Sequence, residues 1–386
     1  MSNHSPPLTS FNNQRRTKIG HPSRLYFVES SAMRPRHFLA ALVAGGAVLA
    51  TLSACAGGTA DASLTPRPIS SQTTDGLRTS APVDIQAHRG GRGEYTENTE
   101  AAFIHAMSEG TTTIEFDITL SKDGVPMVWN DKRVSAEKCA DTQPFAPGDP
   151  QNPYVGKRVD VLTFDQLQTL DCSELLDEFP YAEREPGSRM LQLEDVFALA
   201  QSSPTIRFNI DARSIAGTAD PTENPQAYVD AIVPVVKALG MSDHVAIQST
   251  DWRVLPLVRQ RDRSILTVAK YDTETFAQGS PWLAGIQYEA VGGDPITAAA
   301  SIGADAVAPD FSSFMTQHGN ESGPPYEPLD SYVKRAHQHN MLVIPWTVND
   351  PKIMTELINA RVDGTITNYP SLLKDILRNH QLSQEK

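Results

Sequence analysis

The sequence predicts an α/β fold, specifically a TIM-type (β/α)8 barrel. From residue 84 onward, short runs rich in β-branched residues alternate with stretches that have helical periodicity. This alternation is typical of a parallel sheet, because each helix returns the chain to the start of the next strand. Eight repeats over residues 84–378 suit a barrel, which usually occupies about 250 residues. A doubly wound open sheet is the alternative, since periodicity does not show whether the sheet closes.

The predicted strands are short and mostly apolar, and they lie near residues 85–88, 114–118, 206–211, 245–249, 264–269, 305–308, 342–347 and 364–367. The predicted helices between them cover residues 97–108, 193–201, 226–239, 252–261, 295–302, 329–339 and 351–360. In the first helix, Asn98 and Thr99 occupy the expected cap. Ala102, Phe103 and Ala106 share the side that we expect to be buried.

Residues 1–55 are predicted to be an upstream extension followed by a lipoprotein-type signal peptide. From Met33, the expected true start, two arginines precede a 15-residue apolar run and then small residues before Cys55. This order is typical of a secretory signal, and the run is too short for a comfortable membrane span. The tail LSAC is similar to a bacterial lipobox, in which the cysteine is lipidated. A plain signal peptide or an uncleaved anchor is the alternative.

Residues 56–83 are small, polar and interrupted by proline, so they are predicted to form a flexible tether. The expected location is the outer face of the bacterial cell membrane, with attachment through Cys55, or outside the cell if the protein is secreted. The chain is acidic, with a formal net charge of −13. This charge argues against a nucleic-acid partner, which requires a basic face. An anionic substrate must therefore be bound by local cations or a metal ion.

Residues 132–192 break the alternation and are predicted to form an inserted cap after the second strand, beside the barrel mouth. The segment has four prolines between residues 144 and 153, one short helical stretch at 164–170, and the cysteines Cys139 and Cys172. An exported protein folds in an oxidising compartment, so we expect these cysteines to form a disulfide. Two separate buried thiols are the alternative.

Polar residues interrupt the apolar strands near their C-terminal ends, where the catalytic groups of such barrels lie. Glu115 and Asp117 are two residues apart on one strand, so both side chains point to one face. Neighbouring carboxylates repel each other unless a proton or cation separates them, and a divalent cation is one solution. Asp211, on the third strand, offers a third oxygen ligand. Ion pairs with Arg89 or Arg213 are the alternative.

The first strand ends in HRGG, which places a proton carrier, His88, beside a fixed cation, Arg89. The two glycines permit the backbone to turn and to approach an anion closely. A purely structural histidine is the alternative for His88 considered alone.

The block HRGGRGEYTENTEAAFIHAMSEGTTTIEFDITLSKDGVPMVWND at residues 88–131 resembles the glycerophosphodiester phosphodiesterase family. Weaker similarity continues in FNIDAR, VAIQSTDW, IPWTVND and VDGTITNYP, in the same order and as far as residue 370. The resemblance implies a TIM barrel that cleaves glycerophosphodiesters to glycerol phosphate and an alcohol, with one divalent cation, Ca²⁺ or Mg²⁺. It also implies that glycerophosphodiester small molecules or phospholipid-derived head groups are the partners.

The resemblance assigns Glu115 and Asp117 to the metal ion. At the third metal position the family usually has glutamate, followed two residues later by lysine, where this chain has Asp211 and Arg213. The aspartate has a shorter reach, and the arginine keeps the positive charge with a different geometry. Arg213 and Trp346 are expected to contact the substrate, the tryptophan near its glycerol group.

The resemblance also assigns two catalytic histidines and a phosphate contact. His88 matches the first histidine and Arg89 the phosphate contact. Where the family has a second histidine before an aspartate, this chain has Asn130 before Asp131. An amide does not titrate near neutral pH, so Asn130 can donate a hydrogen bond to a phosphate but cannot transfer a proton.

Three functions are compatible with these residues. The first is metal-dependent hydrolysis of glycerophosphodiesters. The second is an inactive or weakly active protein that binds phosphodiesters, because Asn130 replaces the expected histidine. The third is cleavage of a head group by a substrate hydroxyl, which gives a cyclic phosphate.

Overall fold

Eight parallel strands form the centre of the structure, a computed structural model that describes residues 83–220, 223–318 and 327–384. In chain order the strands are β1 (Asp84–His88), β2 (Thr113–Leu120), β3 (Pro126–Val128), β4 (Ala140–Asp141), β5 (Leu170–Asp171), β6 (Arg207–Ala212), β7 (Val245–Ser249), β8 (Leu266–Tyr271), β9 (Ala306–Pro309), β10 (Leu342–Val343) and β11 (Gly364–Thr367).

The parallel strands nearly close on themselves. Their order is β10-β9-β8-β7-β6-β2-β1-β11, so sequential strands are neighbours throughout. At the junction of the two ends, Asp363 N donates to Val343 O and Ile366 N donates to Pro345 O, each at 3.0 Å. The predicted TIM barrel is therefore confirmed, and the open sheet is wrong.

The helices are α1 (Glu100–Ser108), α2 (Phe164–Leu167), α3 (Leu193–Leu199), α4 (Pro225–Ala238), α5 (Val254–Arg261), α6 (Pro295–Ser301), α7 (Phe311–His318), α8 (Leu329–Gln338), α9 (Pro351–Asn359) and α10 (Pro370–Gln384). Helix α2 lies in the insertion at 132–192, and the others surround the barrel. Short 3₁₀ turns lie at Val159–Val161, Ala200–Ser202, Ser242–His244 and Glu289–Val291. None of the helices in the described ranges combines the length and the apolar character that crossing a membrane requires.

The start of the first helix differs from the prediction. Helix α1 begins at Glu100, because the Thr99 side chain accepts a hydrogen bond from Ala102 N and so caps the first turn. Residue Glu97, which was expected inside the helix, precedes the cap and forms ion pairs instead. Helices α7 and α10 and strands β3, β4 and β5 were not predicted.

The insertion at 132–192 has an apolar core of its own. Strand β3 pairs antiparallel with β2 and leads into the insertion, where β4 and β5 form a small antiparallel pair. Trp129, Tyr154 and Leu162 are buried in this core. The predicted disulfide between Cys139 and Cys172 is present and ties its two halves together.

Two kinds of side chain fill the barrel lumen. An apolar cluster, which includes Ala246, Val268 and Ala306, occupies part of it, with Trp346 packed against the cluster. Buried polar and charged residues of β1, β2, β6 and β7 occupy another part. The polar part contains the candidate site.

The sequence predictions for the leader, for Met33 and Cys55, and for the tether at 56–83 concern residues 1–83. All of these except residue 83 lie outside the described ranges.

Candidate active site

Three buried carboxylates meet in the lumen on β2 and β6. Glu115 and Asp117 lie two residues apart on β2, and Asp211 is opposite Asp117 in the parallel register of the two strands. One oxygen of each carboxylate lies within 4.8 Å of the other two. All three residues are at most 1% exposed. The structure therefore brings together the three predicted metal ligands.

Positively charged side chains contact two of these carboxylates. Arg89 Nε donates to Asp117 Oδ2 at 2.9 Å, and Lys270 Nζ donates to Asp211 Oδ2 at 2.6 Å. Arg213 Nε is 3.7 Å from Asp117 Oδ1. The ion pairs that the sequence offered as an alternative are thus present, but they do not involve every oxygen of the cluster.

The surroundings move the carboxylate pKa values in opposite directions. Burial alone would raise the pKa of Asp117, but the charges of Arg89 and Arg213 outweigh it and hold this pKa well below its usual range. Within the described ranges, Glu115 forms no ion pair with an arginine or lysine side chain. Burial, reinforced by the negative charge of Asp117, therefore raises the pKa of Glu115.

The cluster fits a hard divalent cation on two grounds. Asp211 Oδ1 is buried and has no hydrogen-bond partner among the residues that the structure describes, so it can serve as a ligand despite the short side chain. The donors of the cluster are all oxygen atoms, which Ca²⁺ and Mg²⁺ prefer. These residues can hold such an ion.

His88, at the end of β1, is buried beside the cluster. Its Nδ1 lies 2.6 Å from Asn368 Oδ1, and because this oxygen can only accept, Nδ1 carries the proton. The other nitrogen, Nε2, keeps its lone pair and lies 4.0 Å from Glu115 Oε2. Burial and the charge of Arg89 lower the pKa of His88 to about 3. The imidazole is therefore neutral near pH 7, as a base or nucleophile must be.

A tight turn after β1 presents Arg89 to the cluster. Gly90 has a φ of +84°, and a Cβ at this position would lie 2.8 Å from a ring atom of Phe103. Only glycine combines this backbone conformation with such close packing. The turn thus fixes the guanidinium that contacts Asp117.

Asn130 lies within the site, at the position where a second histidine was expected. Its Nδ2 donates to Asp117 Oδ1 at 2.9 Å. Its half-buried side chain also lines a cavity of about 840 Å³, together with Arg89 and residues of the insertion such as Lys138. Asn130 can therefore orient Asp117 and contact a ligand, but it provides no titratable proton.

Glu97 connects the site to the insertion. Its carboxylate contacts Arg89 Nη1 at 3.1 Å, Lys138 Nζ at 2.9 Å and Arg92 Nε at 2.8 Å. Burial would raise the pKa of Glu97, but the three positive charges outweigh it and lower this pKa to about 2. Lys138 immediately precedes Cys139 of the disulfide, so the insertion is held against the residue that orients Arg89.

Sequence reasoning missed several residues of the site. Lys270, Gln248 and Asn368 were not singled out, although the first two are long polar side chains in mostly apolar strands, and this is the signal that could have found them. Trp346 donates from Nε1 to a backbone oxygen, and its ring lies 4.1 Å from Lys270 Nζ. The tryptophan is therefore beside the cluster, where the glycerol group was expected.

Fold and site together define a TIM-barrel enzyme whose lumen contains a buried cluster of three carboxylates that can hold a metal ion. The sequence model of the glycerophosphoryl diester phosphodiesterase family matches residues 88–372. The chain belongs to this family of phosphodiesterases.

Individual relatives agree with this assignment. A glycerophosphodiester phosphodiesterase from Caldanaerobacter subterraneus subsp. tengcongensis is 23% identical over 76% of this chain and 97% of its own length. A proposed glycerophosphoryl diester phosphodiesterase from Silicibacter pomeroyi DSS-3 matches the structure with a TM-score of 0.65 and 22% identity, over 80% of this chain and 98% of that one. An Oleispira antarctica phosphodiesterase, solved with its product sn-glycerol-3-phosphate, matches with a TM-score of 0.54 and 18% identity, over 76% and 96%. The two structural matches support the fold.

Proposed function

We propose that this chain hydrolyses glycerophosphodiesters to glycerol phosphate and an alcohol, with one divalent cation, Ca²⁺ or Mg²⁺. The main support for the proposal is that three buried carboxylates lie next to the neutral His88 and the guanidinium of Arg89. When bound by the carboxylates, the cation supplies positive charge that stabilises the phosphoryl oxygens.

The residues around the carboxylates divide the remaining chemistry. His88 Nε2 has a free lone pair, so it accepts the proton of an attacking water or attacks the phosphorus itself. Arg89 is held by Asp117 on one side and Glu97 on the other, and this fixed cation contacts a non-bridging phosphate oxygen. We assign the contacts with the glycerol phosphate to Arg213 and Trp346, because Arg213 is 3.7 Å from Asp117 and Trp346 packs on Lys270.

Asn130 cannot protonate the leaving alcohol, so the proton must come from another group. We assign it to water in the 840 Å³ cavity or to a group of the insertion that lines it. Loss of one general acid typically reduces the rate by about 10²–10⁴, so a slow hydrolase is expected rather than an inactive one.

A second candidate is a protein that binds phosphodiesters without turnover. The hydrogen bond from Asn130 to Asp117 favours it, because this side chain is committed to orienting a carboxylate. Such a protein would bind glycerophosphocholine and release no product.

Phosphorus NMR of the full chain, incubated with several glycerophosphodiesters and either Ca²⁺ or Mg²⁺, separates these functions. A glycerol phosphate resonance that is abolished by chelator and by His88→Ala supports hydrolysis. His337→Ala is a matched control, because this histidine bonds Asp363 outside the site. An unchanged substrate signal would support binding alone, and a cyclic phosphate would indicate attack by a substrate hydroxyl.

The proposed location is the outer face of the bacterial cell membrane, with lipid attachment at Cys55. The order of charged, apolar and small residues in 33–55 supports export, and the disulfide of the insertion is compatible with an oxidising compartment. Fractionation of cells that express the wild type or Cys55→Ala tests it: the wild type should be in the membrane fraction and the variant should not.

A further inference from the structure

A row of buried polar side chains crosses the barrel lumen and ends on the metal cluster. It starts at Asp84, the first residue of β1, and continues through Gln86, Asn209 and Gln248 to Glu115. All five are at most 2% exposed. The row thus links the N-terminal end of the barrel with the carboxylates of the site.

The hydrogen bonds of the row have defined directions. Gln248 Nε2 donates to Glu115 Oε1 at 2.7 Å, and Gln248 Oε1 accepts from Asn209 Nδ2 at 3.0 Å. Asn209 Nδ2 also donates to Gln86 Oε1 at 2.9 Å, and Gln86 Nε2 donates to Asp84 Oδ2 at 2.8 Å. Because its carbonyl faces the Asn209 donor, the amide of Gln248 can present only N–H groups to Glu115.

This row costs stability, because an apolar lumen would bury no polar groups. Ala246, Val268 and Ala306 show that part of the same lumen is filled with apolar side chains. Asn209 Oδ1 is in addition buried without a partner among the described residues, which is unfavourable. What the row provides is a rigid donor directed at one oxygen of Glu115.

We propose that Gln248 is a positioning residue for the divalent cation, and that Asn209 acts through it. Gln248 fixes the side chain of Glu115 so that its second oxygen stays with the cluster. It contacts neither substrate nor reacting atoms, and the proposal rests on the metal-dependent function proposed above. Partners that orient metal ligands typically contribute 10–100-fold to metal affinity.

Calorimetric titration of the full chain with Ca²⁺ and with Mg²⁺ tests this role directly, without an activity assay. Gln248→Met keeps the length of the side chain and removes the donor. Asn209→Leu leaves the Gln248 amide in place but frees its orientation. Thr267→Val is the matched control, because it removes a buried side-chain hydrogen bond, to Asp305, that has no connection with the row.

We expect Gln248→Met to weaken cation binding by about 10–100-fold, Asn209→Leu to weaken it less, and Thr267→Val to change it less than twofold. Turnover by Gln248→Met should recover at saturating cation, since His88 and Arg89 are unchanged; a general loss of structure would not recover. Equal affinity in Gln248→Met and the wild type would overturn the inference alone. Absence of cation binding by the wild type would overturn the proposed function as well.

Discussion

Replacing Asn130 by histidine tests what the amide does to the chemistry. Histidine Nδ1 is attached to the same Cγ position as the Asn130 amide nitrogen, so it can keep the 2.9 Å hydrogen bond to Asp117 Oδ1. The second ring nitrogen then extends toward the cavity that Asn130 lines. The variant therefore adds a titratable donor without removing the contact that orients the carboxylate.

The expected gain follows from the value of a general acid. Such a group typically contributes about 10²–10⁴ in rate, which corresponds to roughly 3–5 kcal/mol of activation free energy. We expect Asn130→His to accelerate cleavage of glycerophosphodiesters with alkyl alcohols by about 10² or more. A nitrophenyl leaving group needs no protonation, so its release should change little.

The assay is a stopped time course on both substrates, with Asn130→Ala as the control that loses the bond to Asp117 and gains no acid. This variant should fall below the wild type on both substrates. The reasoning is refuted if Asn130→His binds the cation normally but accelerates neither substrate, or accelerates both equally.

Three further predictions concern stability and pH. Replacing Cys139 and Cys172 together by serine should lower the free energy of unfolding by about 4 kcal/mol, because the crosslink spans 33 residues; urea unfolding measures this, and an unchanged midpoint contradicts it. Glu97→Gln should destabilise the fold by about 3–5 kcal/mol, since three cations lose their carboxylate. The pKa of Glu97 is lowered to about 2 from 4.5, so this difference should be full above pH 4.5 and shrink between pH 4.5 and 2 in pH-dependent unfolding. The pKa of Glu115 is raised, so a proton competes with the cation at lower pH; calorimetry in buffers of different ionisation enthalpy should show weaker binding and proton release as the pH falls.

The eight strands of the barrel could be predicted from the sequence, because each is a short, mostly apolar run and these runs alternate with stretches of helical periodicity. Element ends were less accurate, since they depend on tertiary contacts. Glu97 continues a helical pattern, but the Thr99 cap starts the helix at Glu100, and Glu97 pairs with Arg89 and Lys138 instead. Strand β3 has three residues, too few for a pattern to show.

Site residues could be predicted where their spacing along one strand decides which face their side chains share. Glu115 and Asp117 share a face by their separation alone. By contrast, the contacts of Lys270 with Asp211 and of Gln248 with Glu115 join strands that are far apart in sequence. These contacts depend on how the strands align in the closed barrel, and the periodicity of the sequence does not show this alignment.

The most direct test of the account is the release of glycerol phosphate by the purified full chain from glycerophosphocholine. We expect slow release that requires Ca²⁺ or Mg²⁺, stops with chelator, resumes when the cation is restored, and is lost in His88→Ala. Release that continues in chelator, or that survives His88→Ala, would contradict it.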